Sequence, residues 1–261
     1  MDRDKTQQAL NEAYAEWKSV VPNFSLKLEE FTAPFLLKVT QEYADAKKRV
    51  LILGQETGDW CWDAVELRDP KNGWDYPEPY PYKRIETLAQ FVQNDDSIKA
   101  LIWGYGEYRF ASAQPKNRRS GFWPGFHRFA GDPPTAMAAN VAKCHSLKWN
   151  KRVPDLPPSE YEAFAAAQKR LLRREIEILQ PDLCIFQSGP DYDRLIRNSF
   201  ANAEFIATAE PDITEDIFAR VEGLPAESYR TYHPAGWRNH YQSPYRVRVF
   251  EALKRVLSPE V

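Results

Sequence analysis

Three short, unbroken apolar runs constrain this chain more than any other feature. Val50-Leu51-Ile52-Leu53 runs straight into Gly-Gln-Glu. AMAANVAKC (136–144) carries its first polar side chain at Asn140. Asp182-Leu183-Cys184-Ile185-Phe186 is stopped by Gln-Ser-Gly-Pro. Apolar runs of this length without polar alternation suit strands buried on both faces, as in a parallel sheet covered by helices. Helical spacing fills the intervals, over 83–93, over 98–112 and strongly over 158–179, where Ser159 is a plausible cap and Leu171, Leu172, Ile176 and Leu179 face inward. A helix at 190–199, strands at 203–208 and 228–232, and a closing amphipathic helix at 244–257 complete an alternating pattern. The pattern predicts an α/β fold with a mostly parallel sheet.

Residues 4–20 repeat Ala9, Leu10, Ala13, Tyr14 and Trp17 at helical intervals. Residues 26–46 read as a second helix, kinked or split by Pro34. These two segments form an N-terminal helical extension over 1–47, packed on an α/β domain over 48–261. The stretch 68–82 is a proline- and tyrosine-rich loop, 113–121 a polar basic loop, and FWPGFHRFAG (122–131) an aromatic segment interrupted by Pro and Gly.

In parallel sheets ligands bind beyond the carboxyl ends of the strands. That rule directs attention to GQET, NVAKCH, QSGPDY and HPAGWRNH. Gln55 and Glu56 follow the first strand, Asn140 stands at the end of the second, and His233 follows the last. Singly, each has an ordinary use as a cap, a turn former or a surface charge. Together they place a carboxylate, a carboxamide and an imidazole on one sheet edge. A carboxamide offers a donor and an acceptor to the amide edge of a base. A carboxylate can orient water against a sugar carbon, and an imidazole N–H can stabilise a departing anion. Gly54 is expected to let the chain turn sharply, since glycine tolerates backbone angles that other residues resist.

The order of these motifs resembles the uracil-DNA glycosylase superfamily. Gly54-Gln55-Glu56-Thr57 is similar to the turn after that family's first strand. Asn140-Val141-Ala142-Lys143-Cys144 resembles the Asn-Val-Val-Lys-Cys stretch of its iron–sulfur branch. ILQPDLCIFQSGPDYDRLI (178–196) and His233-Pro234-Ala235-Gly236-Trp237-Arg238-Asn239 match its later motifs in order, over about residues 48–257. The resemblance implies a three-layer α/β/α sandwich around a central, mostly parallel four-stranded sheet, with extra N-terminal helices. It implies Glu56 and His233 as catalytic groups, Asn140 as the reader of the base edge, and Gly54 and Gln55 as contacts near the base. Phe122 is the first choice for stacking on the flipped base, followed by Trp123 and Phe126. Trp237 or Arg238 would wedge into the duplex, and Arg118 and Arg119 would meet phosphates.

The chain departs from the family in four respects. Glu replaces Asp in the first motif, and the Pro-Tyr that excludes thymine is missing. Ala235-Gly236 stands where Ser-Pro is usual. Of the four cluster cysteines only Cys144 has a counterpart, so neither an iron–sulfur cluster nor any other metal or cofactor is expected.

The formal net charge of -2 excludes a polycation, so DNA would be met by local basic patches, at Lys116–Arg119, Lys148–Arg152 and Arg238–Arg248. The three cysteines, Cys61, Cys144 and Cys184, include no C-x-x-C pair and fit a reducing compartment. The charged N-terminus and the lack of a long apolar run imply a cytoplasmic protein that binds no membrane. The resemblance implies uracil-containing DNA, single- or double-stranded, as the partner, and a monomer is expected. The expected activity is monofunctional base excision, with no lysine at a nucleophilic place. The alternatives are a binding module for nucleic acid or nucleotide that lacks turnover, and a hydrolase of another small substrate.

Overall fold

A computed structural model describes residues 1–57, 81–108, 122–130, 135–148, 151–234 and 244–257. The chain is mixed α/β. Its helices are α1 (Arg3–Val20), α2 (Gln41–Asp45), α3 (Leu88–Gln93), α4 (Ser97–Tyr108), α5 (Phe122–Ala130), α6 (Pro158–Leu179), α7 (Asp193–Ser199) and α8 (Pro244–Leu257). The strands are β1 (Val50–Gly54), β2 (Met137–Asn140), β3 (Leu183–Phe186), β4 (Glu204–Ala207), β5 (Phe218–Glu222) and β6 (Glu227–Thr231). They form one sheet in the order β2-β1-β3-β6-β5-β4. The first four in that order are parallel, and β5 and β4 continue the sheet antiparallel.

The sheet is therefore six-stranded and mixed, not four-stranded. The strand that the sequence pattern does not predict is β5. Its residues alternate buried and exposed toward one end, so it lacks the continuous apolar signature of β1, β2 and β3, every residue of which is buried. β5 turns into β6 through Gly223, whose φ of +81° is open to glycine at little cost. A Cβ there would also collide with the Asn202 carbonyl oxygen. Gly223→Ala is expected to lower the unfolding free energy by about 1–3 kcal/mol, read as a shifted urea midpoint with unchanged slope.

The helix expected over 26–46 does not form. A 3-10 turn at Leu28–Glu30 leads into extended chain, and only α2 is helical. Pro34 has no N–H to give a helix, and the segment bonds sideways instead. Thr32 N–H donates to His145 O (2.9 Å), Ala33 N–H to Glu86 O (2.7 Å) and Phe35 N–H to Lys143 O (2.9 Å). Residues 31–37 are all buried, so their apolar character reports enclosure on every side and not one face of a helix.

α1 forms as its spacing predicts. Asp2 caps it by accepting from Lys5 N–H, and Leu10, Tyr14 and Trp17 make the buried stripe. That stripe packs on α6, with Trp17 Nε1 donating to Ala167 O at 2.8 Å. α6 starts with Pro158 in its first turn and has no side-chain cap. Ser159 thus lies inside the helix and does not cap it. The aromatic segment at 122–130 is a helix too. Pro124 falls in its first turn, where a missing N–H breaks no helical bond. α5 meets α8 through the Phe129 and Phe250 rings, 5.4 Å apart. Among the described residues no helix is long and apolar enough to cross a membrane.

Candidate functional site

The four parallel strands deliver their carboxyl ends to one edge. At that edge Gly54 pairs with Asn140, and the two chains stay joined beyond the strands, with Val141 N–H on Gly54 O (3.0 Å) and Ala142 N–H on Gln55 O (2.8 Å). A Cβ placed on Gly54 would lie 2.8 Å from Asn140 Oδ1 and 3.0 Å from Phe122 Cδ2. Three of the expected substrate-binding residues are thus in direct proximity. Gly54 does not have a positive φ. Its absent side chain makes room for a carboxamide and an aromatic ring; the sharp backbone turn expected of it is not its contribution. Asn140 is 8% exposed, and its carboxamide makes no hydrogen bond with the described residues. A buried carboxamide thus stands beside an aromatic ring.

Trp123 packs edge-on against Phe122, with ring centroids 5.1 Å apart, and Phe126 lies 6.1 Å from Phe122. All three rings are buried. Gln55 reaches the chain just past β3, its Nε2 donating to Ser188 O at 2.8 Å.

Glu56 belongs to a second group. Its side chain is 9% exposed, and Oε1 lies 3.1 Å from His145 Nδ1. Oε2 accepts from Val153 N–H at 3.0 Å. The Tyr192 phenol is beside it; burial and then the Glu56 charge push that phenol well above its ordinary range. The carboxylate is fixed by a backbone donor and flanked by an imidazole and a phenol. Neither His145 nor Tyr192 is among the residues that the sequence singles out. The signal for them lies in the NVAKCH and QSGPDY segments themselves, each of which ends in a group that meets Glu56.

His233 stands two residues past β6 and is half-buried. Burial lowers its imidazole to about 4, so it is neutral at pH 7 and presents one N–H donor. Arg118, Arg119, Trp237 and Arg238, expected to contact DNA, lie outside the described residues, as does most of the 68–82 loop. Of the basic clusters, Lys148 pairs with Glu160 (3.4 Å) and Glu30 (3.7 Å). Arg152 pairs with Asp155 (2.9 Å) and Asp191 (2.7 Å), so neither is an uncompensated phosphate contact. Among the described residues no group of three or more His, Cys, Asp and Glu is placed to hold a metal ion.

No protein-family model matches the chain, and a search of the curated proteins finds no match. The functional reading therefore rests on the chemistry of these residues.

Proposed function

We propose that the chain is a DNA base-excision enzyme, a monofunctional glycosylase that hydrolyses the N-glycosidic bond of uracil or a related deaminated base. The observation that carries this reading is the buried Asn140 carboxamide beside Gly54 and the Phe122 ring at the carboxyl ends of parallel strands. A carboxamide next to an aromatic face is what recognition of a flipped base requires. Side chains alternate along a strand, so Arg230, which faces α7 through Asp193, and Thr231 project to opposite faces. Helices on both faces would give a three-layer sandwich, the architecture that accompanies this activity.

In the proposed reaction water adds its oxygen to C1′ while the C1′–N bond breaks. The bond's electron pair leaves with the base, where the N–H of neutral His233 meets the developing negative charge. Glu56 takes one proton from the water, and a solvent proton neutralises the base. DNA is the partner, and the protein acts as a monomer.

One observation favours a second reading. Both Glu56 oxygens already face protein groups, His145 and Val153, which suits a binding module that reads a base without turnover. Base release from single- and double-stranded DNA carrying one uracil, or another deaminated base, separates the two. Glycosylase action predicts an abasic product, with release slowed about 100-fold or more by Glu56→Gln and strongly reduced by Asn140→Ala. Saturable binding lost in Asn140→Ala, with no abasic product from any base, would leave the binding module standing.

A further inference from the structure

A row of polar side chains without partners continues past Asn140 across the sheet end. β1 and β3 are in register at Leu53 and Phe186, and β3 and β6 at Phe186 and Arg230. One residue further on, Gly54, Gln187 and Thr231 fall in line with Asn140. Gln187 N–H donating to Leu53 O (2.7 Å) and Gly189 N–H donating to Thr231 O (3.0 Å) keep that alignment. The row lies on the face covered by α5. Phe122 lies against Gly54, and a Cβ on Gly125 would stand 2.7 Å from Gln187 Oε1, 3.1 Å from its Nε2 and 2.5 Å from Pro234 Cγ.

Gln187 is fully buried, yet neither its carbonyl oxygen nor its amide nitrogen has a hydrogen-bond partner. The Thr231 hydroxyl, also buried, has none either. Buried polar groups are nearly always satisfied, so two unsatisfied side chains in line with Asn140 at a ligand edge point to a ligand that satisfies them.

The count of groups identifies the ligand class, on the reading that this edge is a base pocket. A uracil attached through N1 presents three polar groups: O4, N3–H and O2. Asn140 takes the first two and His233 the third. Gln187 and Thr231 are then left over. Hypoxanthine attached through N9 presents O6, N1–H, N7 and N3; xanthine adds O2 and carries N3–H in place of the N3 acceptor. We propose that Gln187 and Thr231 extend the base-reading row, and that the preferred ligand is a deaminated purine, hypoxanthine or xanthine. Two carboxamides two strands apart, about 10 Å between their Cα atoms, suit a two-ring base with hydrogen-bonding groups on more than one edge. The absent side chain of Gly125 is what lets the Gln187 carboxamide lie beneath α5.

The test uses the full-length protein with free hypoxanthine, xanthine and uracil as probes, titrated by calorimetry and by the side-chain amide resonances of Gln187. The oxopurines are expected to bind at least about tenfold more tightly than uracil, and Gln187→Leu to abolish that preference. Without ligand, Gln187→Leu is expected to melt no lower than the wild type, because it removes an unsatisfied buried group. Thr231→Val, at a separate position, should reduce the preference in the same direction and covers the case in which Gln187→Leu fails to fold. Equal or tighter uracil binding, a preference unmoved by either variant, or no binding of any of the three bases would overturn the inference. Those results are separable from failure of the glycosylase reading. Base release from DNA with an unchanged preference would sink this inference alone. Oxopurine binding that depends on Gln187, without base release, would uphold it on a binding module.

Discussion

Glu175→Leu should lower the unfolding free energy by about 3–5 kcal/mol, among the largest losses expected from any single substitution in this chain. Glu175 and Lys143 form an ion pair with side-chain exposures of 1% and 0%. Removing the carboxylate strands an ammonium in a fully buried site. Burial raises the Glu175 carboxyl while the Lys143 charge opposes that rise, so desolvation of this pair is incompletely repaid even when both partners are present. The double variant Lys143→Met/Glu175→Leu should therefore be less damaged than either single one, because a well-packed apolar pair has no charge to desolvate. Denaturant unfolding of the two singles and the double closes the cycle, and additive losses would mean that the pair is not coupled. The consequence reaches the site. Tyr14 donates to Glu175 Oε1 (3.0 Å) and accepts from Leu37 N–H (2.9 Å). Lys143 N–H donates to Gln168 Oε1 (3.0 Å), and Gln168 Nε2 donates to Val141 O (3.1 Å). The network ties α1, the extended 31–39 segment and α6 to the chain just past Asn140. Loss of the pair is expected to loosen the carboxamide as well as the fold.

How much of the fold and site is legible in the sequence differs residue by residue, for physical reasons. β1, β2 and β3 are visible because strands buried on both faces must be apolar throughout, and their order with α6 between β2 and β3 follows. Asn140 and Gly54 are visible as the polar and glycine interruptions of those runs. What Gly54 does is not visible. Its reason is the Asn140 oxygen and the Phe122 ring beside it, and both come from distant parts of the chain. α5 is hidden by Pro124 and Gly125, which look like breaks. Pro is harmless in a first turn, and Gly125 leaves the space that Gln187 and Pro234 occupy. The 31–39 segment misleads in the opposite way, since enclosure on all sides mimics a helix that Pro34 forbids. Gln187 sits in a segment singled out for its place after a strand, but nothing local marks a glutamine as buried and unsatisfied. Glu56 is placed at the sheet end by its motif, whereas its engagement with His145 and Tyr192 depends on loops folding back over that end.

Arg230→Leu should show a stability defect that depends on pH in an unusual direction. Arg230 is 1% exposed and holds Asp193 through two contacts, Nε to Oδ1 at 3.0 Å and Nη2 to Oδ2 at 3.1 Å. Its remaining Nη1 donates to Asp216 O at 2.7 Å. Burial pushes the Asp193 carboxyl up to about 6, against the pull of Arg230. A carboxyl with a folded value above its unfolded one gives stability that is complete below the unfolded value, near 3.8, and is lost as pH rises through the folded value. In the wild type this group therefore makes the fold less stable between about pH 4 and 6 as pH rises, with a limiting slope of about 1.4 kcal/mol for each pH step of one. Without Arg230 the folded value must climb further, and at pH 7 the stranded carboxylate should lower stability by about 3–5 kcal/mol. Lowering the pH to between 4 and 5 should restore much of that loss by protonating Asp193. His233 works oppositely. Its value is lowered to about 4, so the stability it contributes is lost as pH falls from its unfolded value, near 6.5, toward 4. The difference between variant and wild type cancels that contribution, because His233 is present in both. Denaturant midpoints for the two proteins from pH 4.5 to 8 should converge on acidification. Parallel curves would mean that Asp193 is already neutral in the wild type or finds another cation, and that this buried pair does not anchor β6 to α7.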